Sequence, residues 1–265
     1  MRSQFGMMVL LFLGFVGSAG AAEESLSLRD AVTAALTRNP SLQASRADVE
    51  AARAGARGAR ALANPEIIFT PPVAGAAGSD EEFSFVQPLE VNGQRRARTR
   101  VANAELQAST AGSSATQRET VRAVKEAYWE VAEAQAVVDL NRENVQLAES
   151  LSQAAQRQLE VGTAPGSQAI KARVEVSRAR QELARAETAL LQAKATLNTL
   201  MGRPPETPFT LADGLAYTPL AVKPDALNAL AQARRPEIAE AQAQVAVGQG
   251  QVEVARARLR PDLAL

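Results

Sequence analysis

The 265-residue sequence contains no cysteine and no histidine. Without cysteine the chain can form no disulfide and can carry no lipid on an N-terminal cysteine. The two absences also remove the commonest soft metal ligands and the commonest general base of enzymes. The acidic residues do not converge as pairs by their spacing. We therefore expect no enzyme activity, no catalytic residue, no cofactor and no resident metal ion.

Net charge is also absent, because 29 Lys and Arg balance 29 Asp and Glu. A balanced chain attracts nucleic acid weakly, so we expect no nucleic-acid partner. Aromatic residues make up 4% of the chain, whereas 46% of it is hydrophobic. Alanine, leucine and valine must therefore form the core. This composition favours long packed helices.

A long hydrophobic run is missing after the N-terminus. Residues 1–22 carry one early charge, Arg2, an apolar run from Met7 to Val16, and then small residues. The apolar run is too short for a membrane helix, and the small residues supply a cleavage pattern, so this segment is predicted to be a secretory signal peptide. A membrane anchor is the disfavoured alternative. Any membrane-spanning part of the mature chain must then consist of β-strands.

Two helices and a β-hairpin are predicted next. Ser27 and Asp30 resemble a capping box that opens the first helix, and Pro40 starts a second helix predicted to reach residue 63. Between residues 66 and 90 the hydrophobic period becomes that of a strand, which predicts a β-hairpin around a loop rich in Pro and Gly. Its apolar residues are Ile67, Phe69, Phe83 and Phe85.

The use of this hairpin is open on sequence alone. Each strand could approach the ~9 to 11 residues that a tilted strand needs to cross a bilayer. A soluble hairpin packed on the helices explains the same pattern equally well.

A long helical hairpin is predicted over residues 98–201. Proline is absent from residues 98–161, which would span ~95 Å as a helix. Apolar residues in both helices alternate between spacings of three and four, as in a coiled coil. The large residues of this seam recur every seven positions: Val124, Val131, Val138 and Val145, then Val176, Leu183, Leu190 and Leu197. Small residues, mostly alanines, fill the layers between them, so we expect close antiparallel pairing.

The tip of the helical hairpin is predicted at Gly162, Thr163, Ala164, Pro165, Gly166 and Ser167. Gly162 suits the C-cap of the first helix, Pro165 the turn, and Ser167 the N-cap of the second helix. Residues 203–224 hold five of the thirteen prolines and are predicted to be irregular.

The last segment repeats the first at an offset of 196 residues, so that Pro40 matches Pro236 and Pro65 matches Pro261. Such a repeat indicates a duplicated structural unit. The predicted organisation is a signal peptide (1–22), a first repeat (23–202), a Pro-rich linker (203–224) and the start of a second repeat (225–265). We expect the second repeat to be incomplete, because its copy of the first strand has only begun.

Four segments carry a family resemblance: Arg38-Asn39-Pro40, Asn64-Pro65-Glu66-Ile67, the run from Phe85 to Arg98, and the tip from Val161 to Ser167. They resemble the TolC-type outer-membrane efflux proteins across essentially the whole mature chain. Within the third segment, Gln87-Pro88-Leu89-Glu90 followed by Gly93-Gln94-Arg95 is most similar to the branch that serves heavy-metal resistance-nodulation-division (RND) pumps.

The resemblance implies a mainly α fold with a small β part. In that family the strands contribute to a trimeric outer-membrane β-barrel, and the long coiled-coil hairpins form a periplasmic α-barrel. It further implies a homotrimer in outer membrane lipid, with a periplasmic adaptor (membrane fusion protein) and an inner-membrane RND pump as partners. The channel would conduct substrate passively. Divalent metal cations are the first substrate class to expect, and organic compounds the second.

The resemblance also assigns roles to residues. The six tip residues would contact the adaptor, and Ile67, Phe69, Phe83 and Phe85 would face lipid. The arginines at positions 95, 96, 98 and 100 would contact headgroups or carboxylates, or remain solvated. The acidic residues Asp80, Glu81 and Glu82 are interpreted as a solvated turn. A periplasmic adaptor or another periplasmic coiled-coil protein is the alternative, although the duplicated helical flanks argue against an adaptor.

Overall fold

A computed structural model describes residues 24–70, 82–216, 219, 224–261 and 263–264. Over these residues the fold is mainly helical with a small β part, as predicted. The predicted signal peptide lies outside the described residues, as do Asp80 and Glu81. Glu82 is described only as the first residue of a strand. Among the described residues, no helix is both long and apolar enough to span a membrane.

The chain begins with a short strand, β1 (Glu24–Leu26), and two helices, α1 (Leu28–Arg38) and α2 (Pro40–Gly58). The predicted cap of α1 is present, because the hydroxyl oxygen of Ser27 accepts a hydrogen bond from the N–H of Asp30 at 3.2 Å. The predicted end of α2 at residue 63 is wrong. The last residue of α2, Gly58, has a low helix propensity. The carbonyl of the next residue, Ala59, accepts hydrogen bonds from the side chains of Arg98 and Thr99 in a later helix.

Five further strands form three two-stranded sheets with β1. Strand β2 (Glu66–Thr70) pairs antiparallel with β3 (Glu82–Val86), so the predicted hairpin exists but with strands of five residues. The rest of the predicted segment, β4 (Pro88–Leu89), pairs instead with β6 (Leu263–Ala264). Strand β5 (Phe209–Leu211) pairs in parallel with β1. The prediction that residues 203–224 are irregular throughout is therefore wrong.

The long helical hairpin consists of α3 (Gln94–Glu160) and α4 (Gly166–Leu200). α3 has 67 residues and a length of about 100 Å, so it starts four residues before the predicted boundary at 98. Two more helices, α5 (Pro224–Arg234) and α6 (Pro236–Arg258), begin where α1 and α2 begin when shifted by 196 residues, and α6 extends four residues further than α2. α3 packs against α1, α2, α4 and α6.

The main core lies where α1, the middle of α3, the end of α4 and the β1–β5 sheet meet. Its buried residues are Leu26, Ala31, Ala35, Val124, Ala127, Tyr128, Val131, Leu197, Met201 and Phe209. Alanines on α1 face larger residues on the other elements, which lets the helix approach closely. A smaller cluster joins α2 to α3 through Ala56, Ala59 and Ala102. These clusters fix the helical body from which the hairpin of strands and the helical tip project.

Candidate functional site

The β2–β3 hairpin brings together the four apolar residues singled out in the sequence. Ile67 pairs with Phe85 and Phe69 with Phe83, so all four share one face of the sheet. The ring centroids of Phe69 and Phe83 are 6.3 Å apart. All four side chains are exposed, from 56% for Phe69 to 73% for Phe83. Ile68, which the sequence analysis missed, is 47% exposed on the other face.

This exposure bears on the two interpretations of the hairpin within the described residues. A soluble hairpin packed on the helices would bury one of its faces, and this hairpin buries neither. A contiguous exposed apolar patch marks a surface that meets lipid or another protein.

The base of this hairpin is fastened to α3 by Arg98. Its guanidinium donates to both carboxylate oxygens of Glu90, at 2.5 and 3.1 Å, and to the carbonyls of Ala59 and Ala61. Such a two-pronged charged contact is stronger and more directional than a single hydrogen bond. Ala59 and Ala61 precede the first strand of the hairpin, and Glu90 follows the second. Arg98 therefore holds the chain on both sides of the hairpin.

The other arginines of this group differ from one another. Arg100 forms an ion pair with Glu253 of α6. Arg95 and Arg96 are exposed. Of the four arginines, Arg98 and Arg100 thus form ion pairs with carboxylates of the chain itself.

The helical tip is a compact turn. Gly162 follows the C-cap Val161 of α3 and has a φ of +74°, a conformation that favours glycine. The N–H of Gly162 donates to the carbonyl of Leu159, and the N–H of Thr163 donates to that of Gln158. These two hydrogen bonds together form the Schellman motif of a helix that ends at a glycine.

The start of α4 differs from the prediction. Ser167 was expected as its N-cap, but Pro165 occupies that position and Ser167 lies inside the helix. The N-cap makes no side-chain hydrogen bond. Gly162, Thr163, Pro165 and Ser167 are exposed, whereas Ala164 and Gly166 are partly covered. The tip therefore presents mainly backbone and small side chains to solvent.

The seam residues lie on the inner side of the α3–α4 pair. Val124, Val131, Val138 and Leu197 are fully buried. Val145, Val176, Leu183 and Leu190 are partly buried.

A second apolar stripe, which the sequence analysis missed, lies on the outer side of the same pair. On α3, Leu140 is 57% exposed and Leu147 is 59% exposed, and the C-cap residue Val161 is 73% exposed. The signal was available, because these positions also follow a seven-residue period. On α4 the exposed members are Ile170, Val174 and Leu191.

Position 140 lies about 200° around the helix from position 138, so the two stripes occupy nearly opposite faces of α3. A helix with apolar residues on two faces packs against neighbours on both sides. One neighbour is α4, and the outer stripe is unoccupied within the described part of the chain.

A polar contact centred on the buried Tyr128 joins the first strand, α3 and the segment after β5. The Tyr128 hydroxyl lies 2.8 Å from a carboxylate oxygen of Asp213 and 3.0 Å from the carbonyl oxygen of Leu26. The same carboxylate oxygen accepts the N–H of Leu28 at 2.9 Å. Burial, with Asp213 nearby, raises the pKa of Tyr128 to about 12. The hydrogen bonds from Leu28 and Tyr128 lower the pKa of Asp213. Sequence inspection missed this contact, because its residues are far apart along the chain.

The described residues contain no group of three or more acidic side chains that could hold a metal ion. Residues 31–203, more than half of the chain, match the family described as outer membrane efflux protein. The chain belongs to the outer membrane efflux protein family.

One curated relative of this outer membrane efflux protein is Protein CyaE of Bordetella pertussis. It is 29% identical over 262 residues, and the match covers 91% of this chain and 54% of the relative. The chain thus spans about half the length of the curated relative it matches.

Solved structures share the fold of this efflux protein. The outer membrane protein VceC from Vibrio cholerae superposes with a TM-score of 0.71 at 20% identity, over 89% of this chain and 60% of its own. The Campylobacter jejuni CmeC outer membrane channel gives 0.74 at 13% identity, over 100% of this chain and 63% of its own. Membership of a family of outer-membrane channel proteins favours the channel interpretation over the adaptor alternative.

Proposed function

We propose that this chain forms part of a subunit of a homotrimeric outer-membrane channel in a tripartite efflux system. A periplasmic adaptor and an inner-membrane RND pump deliver substrate, and the channel conducts it passively to the exterior. Divalent metal cations are the first candidate substrate, as the heavy-metal branch resemblance implies. The chain lies in the outer membrane and extends into the periplasm.

The observation that carries this proposal is the outer stripe of α3 and α4. Leu140 and Leu147 are exposed on a helix whose opposite face is already packed against α4. Burying the exposed part of these two leucines against a neighbouring helix contributes roughly 1 to 2 kcal/mol each. Side-by-side packing of such hairpins from several subunits closes a wall of helices around a passage.

The two ends of the molecule suit the two surroundings that the proposal requires. Ile67, Phe69, Phe83 and Phe85 form the lipid-facing end, because their exposed apolar face is stable in hydrocarbon and costly in water. The tip from Gly162 to Ser167 is the adaptor contact. Its turn is closed by its own backbone hydrogen bonds, so a partner can dock on it without first ordering a loop.

Trimerisation tests the proposal. The purified chain in mild detergent should have the mass of a trimer by light scattering coupled to size-exclusion chromatography. The double variant Leu140→Ala, Leu147→Ala should dissociate it, because it removes two leucines of the outer stripe while leaving the buried seam intact. Glu143→Ala with Gln146→Ala, two exposed residues of the same helix, is the matched control. A monomeric native chain, or equal dissociation of the control, would contradict the proposal.

The substrate requires a separate test. A strain lacking this gene should lose tolerance to zinc, cobalt, cadmium or copper and regain it on complementation. Unchanged tolerance to all of these metals would remove divalent cations as the substrate and leave organic compounds as the second candidate.

A further inference from the structure

The C-terminal ends of α2 and α6 and the N-terminal end of α3 lie at one level, next to the base of the exposed apolar hairpin. The last turn of α2 reaches the first turns of α3, because Arg98 bonds to the carbonyl of Ala59. The last turns of α6 reach the same place. Arg258 of α6 and Gln94 of α3 line one groove of about 450 Å³, and β6 pairs with β4 just beyond.

Five exposed arginines lie at this level: Arg57 in the last turn of α2, Arg95 and Arg96 in the first turn of α3, and Arg256 and Arg258 in the last turn of α6. We name this set the arginine collar. Within the described part of the chain, none of the five forms an ion pair, whereas the neighbouring Arg98 and Arg100 do.

Local helix energetics explain only part of the collar. Arginine in the last turn of a helix complements the negative end of the helix dipole, which accounts for Arg57, Arg256 and Arg258. The first turn of α3 contains no acidic residue and carries Arg95 and Arg96 at the positive end of the dipole. Cations there are unfavourable for the isolated helix. The helix itself therefore does not account for their placement, and both guanidiniums are open to an anion from outside this chain.

We propose that the arginine collar binds the headgroups of anionic phospholipids in the bilayer that holds the β2–β3 hairpin. The hairpin identifies the source of the anion, because its exposed phenylalanines continue directly from the collar into an apolar surface. Headgroup phosphates lie at the edge of the hydrocarbon, where side chains at the base of an inserted hairpin meet them. The inference rests on the proposed function, since only a membrane-inserted hairpin brings the collar to lipid.

Vesicle flotation tests the collar. The full chain is mixed with vesicles of phosphatidylcholine alone, or with vesicles in which part of that lipid is replaced by phosphatidylglycerol. The native chain should prefer the anionic vesicles, and raising the salt concentration should remove the preference. Arg95→Gln with Arg96→Gln should weaken binding to the anionic vesicles roughly thirty-fold, since each arginine near an anionic surface contributes about a five-fold factor.

The matched control is Lys171→Gln with Arg173→Gln, which removes the same charge from exposed positions near the helical tip. This variant should bind both kinds of vesicle as the native chain does. A second variant, Arg256→Gln with Arg258→Gln, should weaken anionic binding to a similar extent, because the collar extends across α6.

The outcomes separate the collar from the proposed function. Equal binding to both kinds of vesicle by the native chain, or equal losses in the collar and control variants, would overturn the collar and leave the channel proposal standing. If the native chain bound neither kind of vesicle, and the double variant Phe69→Ser, Phe83→Ser behaved as the native chain does, both the collar and the channel proposal would be overturned.

Discussion

The two helix pairs predicted to be copies of one repeat, α1–α2 and α5–α6, begin at equivalent residues but have different surroundings, and α6 extends four residues further than α2. α1 and α5 both have eleven residues, and the next helix of each copy begins at a proline, Pro40 or Pro236. α1 buries Ala31 and Ala35 completely or nearly so in the main core. No residue of α5 is buried, and its Leu227 and Leu230 are about half exposed. The starts of the helices therefore follow local sequence signals, whereas burial depends on which partners are present.

The junctions between the two helices of each copy differ in the same way. The side-chain oxygen of Asn39 accepts the N–H of Ser41 at 2.9 Å, and its amide donates to the carbonyl of Leu200 at 2.8 Å. The equivalent residue of the second copy, Arg235, makes no side-chain cap. The first junction is thus bonded to α4 as well as capped.

The largest effect should come from Gly202→Ala, which breaks the docking of the first copy. Gly202 has a φ of +70°, and an added Cβ would lie 2.6 Å from the carbonyl oxygen of Arg38 at the end of α1. Backbone strain and this clash should together cost about 3 kcal/mol of unfolding free energy. Urea unfolding followed by circular dichroism measures it. Gly248→Ala of α6, where an added Cβ meets nothing within 4 Å, should instead stabilise the chain slightly.

The next effect should come from removing the cap at the first junction and supplying one at the second. Asn39→Ala should cost about 2 kcal/mol, because it removes a helix cap and the bond to α4. Arg235→Asn should stabilise the second copy by about 0.5 kcal/mol, because it supplies the missing cap. The same urea titration checks both. If Arg235→Asn cost stability, the difference between the junctions would not be one of capping.

A smaller effect should follow from Gly250→Ala in α6. An added Cβ would lie 2.8 Å from a side-chain methyl of Val101, so α6 should separate slightly from α3 at a cost of about 1 kcal/mol. The equivalent residue of the first copy is Ala54, which is exposed. Ala54→Gly should cost a similar amount through helix propensity alone, without moving α2. Spin-label distances between α3 and each helix would separate the two causes. An unchanged α3–α6 distance in Gly250→Ala would contradict the close-approach argument.

The smallest effect concerns pH and should be confined to the first copy. Asp213 binds the N–H of Leu28 at the start of α1, whereas the equivalent residue of α5, Pro224, has no N–H. The lowered pKa of Asp213 means that its stabilisation is present above the ordinary pKa of aspartate and is lost as pH falls through the lowered value. The pKa of Tyr128, raised to about 12, means that its stabilisation is present below the ordinary pKa of tyrosine and is lost as pH rises through about 12.

Tyr128→Phe and Asp213→Asn check these two signs. Unfolding free energies measured against pH should show the acidic loss shrinking in Asp213→Asn and the alkaline loss shrinking in Tyr128→Phe. Curves parallel to that of the native chain would show that the contact does not contribute to the pH dependence.

The sequence by itself determined the helices that begin or end at a local signal. Ser27, Pro40 and Gly162 lie at such boundaries, because caps, prolines and left-handed glycines act on residues within a single turn. The seven-residue period likewise placed Val124, Val131 and Val138 on one side of α3, although the outer stripe with the same period lies on the opposite side. The two-residue period of the strands likewise determined which apolar residues share one face of the hairpin.

Tertiary structure alone decided the features that join residues far apart along the chain. The β1–β5 pair joins Glu24 to Phe209 through backbone bonds, which leave no pattern in three-residue strands. The hydrogen bond from Arg98 to the carbonyl of Ala59, just after the end of α2, joins residues 39 positions apart in the same way. The burial of α1 and the exposure of α5 depend on neighbours in space. Local energies set the boundaries of helices, and packing between distant segments sets what those helices contact.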